Sequence, residues 1–201
     1  MMQGYAVPDG NTEIVYEIKK SRFIARLGLA VDRDEAMTML SQAKRDYPDA
    51  RHHCWGYLIG SPAQPRMLAM SDDGEPSGTA GKPILNVMQH KELGDVMLIV
   101  IRYFGGIKLG AGGLVRAYSH AAQLAYGQAP TRLQIHLEEY NLSCHFADEQ
   151  IIRHWLNRHE GNVLNAVYSQ HVNLNIALNE KHLPDLKNFL AALKGAHLLS
   201  S

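Results

Sequence analysis

An uninterrupted apolar run, Val96–Ile101, is the feature that most constrains the fold. The segment from Asp95 to Tyr103 is apolar almost throughout, a pattern typical of a strand that is covered on both faces. The run is far shorter than the roughly 20 residues that span a bilayer. The sequence therefore predicts the central strand of a layered, soluble domain, with a glycine-rich segment directly after it.

Composition and charge narrow the class of protein. The chain has 201 residues, 46% hydrophobic and 20% charged, which predicts one large or two small globular domains. Its 20 basic and 20 acidic residues balance, which argues against nucleic-acid binding by bulk charge but leaves a local basic patch open. The first residues lack the apolar core of a signal peptide, and two cysteines form no disulfide framework. We expect a cytoplasmic protein.

Periodicity predicts a first domain over residues 1–129 that mixes strands and helices. Residues 1–11 are expected to form a loose lead-in, and a Lys-Lys turn is expected to join the first two strands as a hairpin. Asp32 is placed to cap the first helix. The predicted strands cover residues 12–17, 21–31, 52–59, 67–70 and 95–103, and the predicted helices cover 33–46, 84–91 and 114–127.

A second domain is predicted over residues 130–201, after a boundary at Pro130. Its predicted strands cover residues 133–144, 161–168, 170–178 and 196–199, and its helices cover 148–159 and 180–193. This β-α-β-β-α-β order is that of the ferredoxin-like split β-α-β motif. The predicted fold class is therefore α+β.

The glycine-rich segment from Arg102 to Arg116 is the predicted working part of the chain. It contains five glycines within nine residues: Gly105, Gly106, Gly110, Gly112 and Gly113. Glycine lets a ligand approach the backbone closely, and a helix start offers unpaired N–H groups to a phosphate. Lys108 and Arg116 would add full charges. The alternative is a crowded turn that serves only to pack the helix on the sheet.

The charge distribution favours anion contact at this segment. The window from Val96 to Leu137 holds four basic residues and no Asp or Glu. Known nucleotide motifs nevertheless fail: Val115 stands where a dinucleotide-binding motif needs glycine, and Pro76 and Pro83 break the spacing of a phosphate-binding P-loop. The segment is thus predicted to contact phosphate without matching a named nucleotide loop.

A second candidate is the polar loop from Ser71 to Pro83, which carries Asp72, Asp73 and Glu75. Carboxylates this close can hold magnesium or act as an acid–base pair. Alternatively, they cap backbone N–H groups in a structured turn, with Thr79 starting the next helix. Ligand contact through Thr79 or Lys82 is a further possibility.

The segment His52-His53-Cys54 offers a weak metal motif. Neighbouring residues of a strand face opposite sides, so His52 and His53 cannot both face one ion without distortion. We therefore predict neither a metal nor a cofactor. A further hypothesis is that one of these histidines lines the same cleft as the glycines.

Four blocks in order, SRFIA, ARHHCWGYLIG, SDDGEPSGTAGKPIL and VIRYFGGIKLGAGGLVRAYSHAA, closely resemble the YigZ/IMPACT family. The resemblance implies a ribosomal-protein-S-five-domain-two-like fold for the first domain. For the second it implies a ferredoxin-like domain similar to domain V of elongation factor G. Eukaryotic relatives are linked to translational control, through an extra N-terminal domain that this chain lacks. The site that the resemblance implies consists of Asp72, Asp73, Glu75, Thr79, Lys82, Arg102, Gly105, Gly106, Gly110 and Gly113.

Together these observations predict a cytoplasmic, translation-associated regulatory protein, not a membrane protein, that binds RNA, the ribosome or another phosphate-bearing partner. We expect a binding protein rather than an enzyme. The alternative is a magnesium-dependent enzyme acting on a small nucleotide or phosphorylated substrate, with the acidic loop as its metal or proton-transfer site. A protein-interaction scaffold is a third hypothesis, for which the sequence selects no partner.

Overall fold

A computed structural model describes residues 4–135 and 137–199, which divide into two compact units. The first unit spans Tyr5–Gln134, and the second is built on the described residues from Ile135 onward. Both units combine helices with an antiparallel sheet, which confirms the α+β class. No helix within the described residues is long and apolar enough to cross a membrane.

The first unit is a five-stranded antiparallel sheet with helices on both faces. Its strands are β1 (Tyr5–Pro8), β2 (Thr12–Ile18), β3 (Ser21–Leu29), β4 (His52–Ser61), β5 (Gln64–Ser71), β6 (Val96–Tyr103) and β7 (Thr131–Gln134). Its helices are α1 (Arg33–Asp46), α2 (Gly81–Gln89) and α3 (Ala111–Gln128). The strand order is β2-β3-β6-β4-β5, with β1 and β7 forming a separate pair.

Strand β6 lies at the centre of this sheet, as its apolar run predicts. Leu98 and Val100 face a core shared with α2 and α3, whereas Ile99 and Ile101 face a second core that includes residues of α1. All four side chains are fully buried. The continuous apolar pattern therefore arises because both faces of the strand are covered.

Local signals in the first unit act as the sequence predicts. The Asp32 carboxylate accepts a hydrogen bond from the Glu35 N–H at 2.8 Å and caps α1. Lys19 and Lys20 adopt positive φ angles of 47° and 62° between β2 and β3, the conformation of a two-residue hairpin turn.

Several expectations about the elements up to residue 144 are wrong. Within the lead-in, whose first three residues lie outside the described part, Tyr5–Pro8 forms β1 and pairs with β7. That pairing also divides the single strand predicted over 133–144 into β7 and β8, and it carries the first unit to Gln134. Helices α2 and α3 each begin three residues earlier than predicted, at Gly81 and Ala111, so the polar loop predicted over Ser71–Pro83 ends before Gly81, and Gly112 and Gly113 lie in the first turn of α3.

The second unit has the predicted β-α-β-β-α-β order. It consists of β8 (Glu138–Cys144), α4 (Glu149–Arg158), β9 (Asn162–Tyr168), β10 (Val172–Leu178), α5 (Leu183–Ala192) and β11 (His197–Leu198). The sheet order β11-β8-β10-β9 is that of a ferredoxin-like fold. Leu142, Ile152 and Leu186 are fully buried in one core that joins the sheet to both helices.

Candidate functional site

A cavity of about 390 Å³ opens in the first unit where two strand ends, the acidic loop and the start of α3 meet. Strand pairing explains part of its composition, because the register places His52, the first residue of β4, opposite Arg102 near the end of β6. The residues that line it include Arg51, His52, Glu75, Arg102, Phe104, Lys108, Gly110 and Ala111.

The floor of the cavity is a buried ion pair. Arg102 Nη1 donates to Glu75 Oε1 at 2.6 Å, and the side chains are 8% and 4% exposed. Tyr118 Oη donates to the same carboxylate oxygen at 2.8 Å. The Arg102 guanidinium also contacts the rings of Phe23 and Phe104, with Cζ 5.5 Å and 5.6 Å from their centroids. These contacts hold both charged groups in place.

The ion pair leaves hydrogen-bonding capacity unused. Among the described residues, Arg102 Nε has no hydrogen-bond partner although it is buried. Within the same part of the chain, both short contacts of Glu75 go to Oε1, so that Oε2 accepts no hydrogen bond. Both residues line the cavity, so its wall contains a cationic side chain beside a carboxylate.

His52 presents one ring nitrogen to the cavity. Its Nδ1 lies 2.8 Å from the carbonyl oxygen of Asp73, and since a carbonyl only accepts, Nδ1 carries the proton. Nε2 lies 4.0 Å from Glu75 Oε1. His53 faces the opposite side of β4, where burial lowers its pKa. Of the two histidines, His52 is thus the one that lines the cleft. This agrees with strand alternation, which lets only one of two neighbouring residues face a given side.

Two buried polar side chains, Cys54 and Tyr118, lie next to the ion pair. Cys54 Sγ lies 3.3 Å from Tyr118 Oη and 3.0 Å from the carbonyl oxygen of Asp72. Burial raises the pKa of the Cys54 thiol to about 12 and also raises the pKa of the Tyr118 hydroxyl above its ordinary value. Both groups therefore stay protonated near neutral pH, and Tyr118 serves as a hydrogen-bond donor to Glu75.

The three clustered carboxylates have different roles. Asp72 accepts three backbone hydrogen bonds, from the N–H groups of Gly78 at 2.8 Å, Ala80 at 3.0 Å and Gly81 at 2.7 Å, and so anchors the loop to the start of α2. Asp73 Oδ2 accepts from the backbone N–H of His53 at 2.6 Å. Of the three, only Glu75 lines the cavity. Within the described ranges, no cluster of three or more His, Cys, Asp or Glu is arranged to hold a metal ion.

Thr79 and Lys82 lie away from the cavity. The Thr79 side chain donates from Oγ1 to the carbonyl oxygen of Pro76 at 2.6 Å, and the residue is 6% exposed, so it stabilises the turn. Lys82 is exposed in the first turn of α2 and does not line the cavity. Ligand contact through these two residues stays a prediction without geometric support.

The glycines of the segment divide into packing and open positions. A Cβ atom at Gly105 would overlap the backbone of Lys20 and Ser21, so this glycine allows the segment to pack on the β2–β3 hairpin. Gly110 has a φ of 71° with no atom within 4 Å of a Cβ placed there, and it precedes α3. Gly106 is similarly open, so the packing alternative applies at Gly105, whereas ligand contact at the open glycines stays a prediction.

The N-terminus of α3 carries no side-chain cap. The first backbone bond of the helix runs from the Leu114 N–H to the Gly110 carbonyl, so the N–H groups of Ala111, Gly112 and Gly113 precede the helical ladder. These N–H groups and the positive end of the helix dipole are the kind of groups that can bind an anion.

A second cavity, of about 520 Å³, lies on the other side of this turn. Leu109 lines both cavities, while Gly113 and Arg116 line the second together with Lys19 and His120. Of the predicted site residues, Glu75, Arg102, Lys108 and Gly110 line the first cavity, and only Gly113 and Arg116 line the second. Gly105, Gly106, Gly112, Asp72, Asp73, Thr79 and Lys82 line neither cavity.

Sequence reasoning missed several residues of this site, namely Lys19, Arg51, Phe104, Tyr118 and His120. Phe104 had the clearest signal, because a large apolar residue stands directly before the glycines and is 52% exposed. Arg51 precedes a histidine that was already a candidate. Lys19 and His120 come from distant parts of the chain, and no local pattern brings them together.

Both units match families of known proteins. Residues 19–126 match the Impact N-terminal domain, and residues 142–194 match a domain of unknown function, DUF1949. The chain is 33% identical over 198 residues to an IMPACT family member of Haemophilus influenzae, covering 98% of this chain and 96% of that protein. It is 38% identical over 177 residues to the IMPACT family member YigZ of Escherichia coli, covering 88% and 87%.

A solved structure has the same fold. It is described as the crystal structure of an hypothetical protein, is 35% identical in sequence and matches with a TM-score of 0.79. The match covers 100% of this chain and 98% of that one.

Removing the Asp72 carboxylate should destabilise the first unit. Asp72→Ala leaves three backbone N–H groups without their charged acceptor, and we expect the free energy of unfolding to fall by about 2–3 kcal/mol. Hydrogen exchange of the β6 amides, followed as a function of urea concentration, measures this change in the free energy of unfolding. Asp49→Ala, at an exposed position, is the control and should alter stability by less than about 0.5 kcal/mol. Equal effects of the two substitutions would show that Asp72 does not anchor the loop.

Because it is buried, the Glu75–Arg102 pair should affect the free energy of unfolding far more than a surface pair of similar geometry. Glu75→Ala leaves a buried guanidinium without its counter-charge and should lower the free energy of unfolding by about 3–5 kcal/mol. The matched control is Glu13→Ala, because Glu13 Oε2 lies 2.7 Å from Arg26 Nη2 but is more exposed. That change should cost about 1 kcal/mol or less. The same hydrogen-exchange assay compares them, and a smaller loss for Glu75→Ala would contradict the assignment.

Proposed function

Because the chain belongs to the IMPACT family, we propose that it binds RNA across the first turn of α3 and acts in translational regulation. The observation that carries the proposal is the position of this turn, between two cavities that both present cationic side chains. A cytoplasmic location is part of the same proposal, because a protein that regulates translation would meet ribosomal RNA there.

The start of α3 supplies the phosphate position. The N–H groups of Ala111, Gly112 and Gly113 precede the helical ladder, and the helix dipole favours an anion there. Lys108 lies in the wall of the first cavity and adds a full charge. Open space around Gly110 lets a phosphate approach the backbone closely.

The charges around this turn favour an extended polyanion over a small one. Arg51 and Lys108 line the first cavity, and Lys19 and Arg116 line the second, whereas no Asp or Glu of the described residues lines the second. Glu75 in the first cavity is neutralised by Arg102. Successive phosphates of one strand can therefore meet positive charge on both sides of α3, which a single small phosphate cannot do.

The contacts of the acidic loop do not favour the alternative function, a magnesium-dependent enzyme. All three backbone bonds of Asp72 and the bond of Asp73 Oδ2 stabilise the loop. Glu75 is the carboxylate that remains at the cavity, and its Oε1 accepts from Arg102 and Tyr118. The geometry thus supports binding better than it supports catalysis at a metal centre.

Reversing charge on both sides of α3 should weaken RNA binding steeply. For Lys108→Glu combined with Arg116→Glu, we expect affinity for single-stranded RNA to fall by at least about tenfold, because two phosphate contacts are lost. The slope of log affinity against log salt should become shallower by about 1.4, at roughly 0.7 per contact. Fluorescence anisotropy of a labelled RNA between about 50 and 200 mM salt measures both quantities.

The matched control reverses two charges that line neither cavity, Arg33→Glu and Lys91→Glu. Both residues are exposed, and the net charge changes by the same amount as in the test variant. If the control weakens binding as much as the test variant, the effect is one of bulk charge. That result, or an absence of RNA binding at low salt, would reject the proposed interface.

A further inference from the structure

We infer that the cavity floored by Glu75 and Arg102 takes one unpaired nucleobase of the bound strand, which stacks on Phe104. The inference rests on the proposed function, because the start of α3 must hold the neighbouring phosphate. It goes further by giving the cavity a ligand of its own and by making the protein selective for single-stranded RNA.

The walls of the cavity do not suit a phosphate alone. Besides its charged groups, the cavity is lined by Phe104, Leu109 and Leu114, whose side chains offer apolar surface. Its volume of about 390 Å³ lies within the range of pockets that enclose organic ligands. A phosphate at Gly110–Ala111 would leave this apolar surface in contact with water. A base attached to the same backbone would cover it.

Phe104 is suited to act as a stacking platform. The residue is 52% exposed although it is a large apolar side chain, and it directly follows the central strand β6. Its ring lies near the Arg102 guanidinium, which is held in turn by Phe23. Aromatic rings exposed beside a basic groove are the usual stacking surface for unpaired bases.

The cavity floor offers polar groups that a base edge can satisfy. Arg102 is 6% exposed, and its Nε has no partner among the residues that the structure describes. Glu75 has a carboxylate oxygen to offer, and His52 directs Nε2 to the same side. A buried donor such as Arg102 Nε is normally paired, and the carboxylate and imidazole beside it can accept from or donate to the same ligand, so this arrangement favours a ligand that carries both kinds of group at one edge. A nucleobase does, and an aliphatic or purely anionic ligand does not.

Access to the cavity requires an unpaired base. In an A-form duplex the bases stay stacked and paired, and their edges are not free to enter a pocket. In a single strand one base can turn away from its neighbours at little cost. The phosphates on either side would then lie against the two basic surfaces next to α3.

Three RNAs of about ten nucleotides test the inference by anisotropy: a single strand, its blunt duplex, and a strand of the same length built from stable abasic residues. All three carry phosphates, but only the first offers free bases. We expect the single strand to bind about tenfold or more tightly than the other two. We also expect Phe104→Ala to remove most of that advantage, whereas Phe104→Trp should retain it.

The matched control is Phe146→Ala, which removes a phenylalanine that is 55% exposed in the second unit. It should leave the preference for the single strand unchanged. Equal affinity for the single and abasic strands, or a preference that survives Phe104→Ala, would overturn the base site while leaving phosphate binding at α3 intact. Failure of the proposed function looks different, because then none of the three RNAs binds in a salt-dependent way.

Discussion

The buried pair of Glu75 and Arg102 is the interaction on which the rest of the site depends. It joins the acidic loop to the central strand β6, and Tyr118 extends the connection to α3 through the same carboxylate oxygen. Three separate segments are therefore held at one point. Since a charge in a buried position needs its partner, the pair also fixes where the cavity floor lies.

The same pair explains how an acidic loop can stand beside a basic segment. Asp72 and Asp73 direct their carboxylates to backbone N–H groups, and Glu75 is neutralised by Arg102. The unpaired charge at the cavity is therefore positive, although the loop looks acidic in sequence. An account of the site based on residue types alone would have treated these three carboxylates as equivalent, whereas their hydrogen-bond partners separate them.

Much of the fold could be predicted because its signals are local. The apolar run of β6, the Asp32 cap of α1 and the element order of the second unit all depend on residues close in sequence. The pairing of β1 with β7 joins segments more than a hundred residues apart and left no local pattern. Likewise, Glu75 and Arg102 were candidates, but their contact with each other and with Tyr118 depends on how distant segments pack.

The central claim is that the uncapped first turn of α3 binds RNA phosphate, and amide chemical shifts test it most directly. In a titration of the ¹⁵N-labelled protein with single-stranded RNA, the amides of Ala111, Gly112 and Gly113 should show the largest shifts. The amide of Gly105 is the internal reference, because it donates to Ser21 Oγ in the packed hairpin and should move little. Saturating RNA that leaves the three α3 amides unmoved, or moves only residues outside the first unit, would contradict the account.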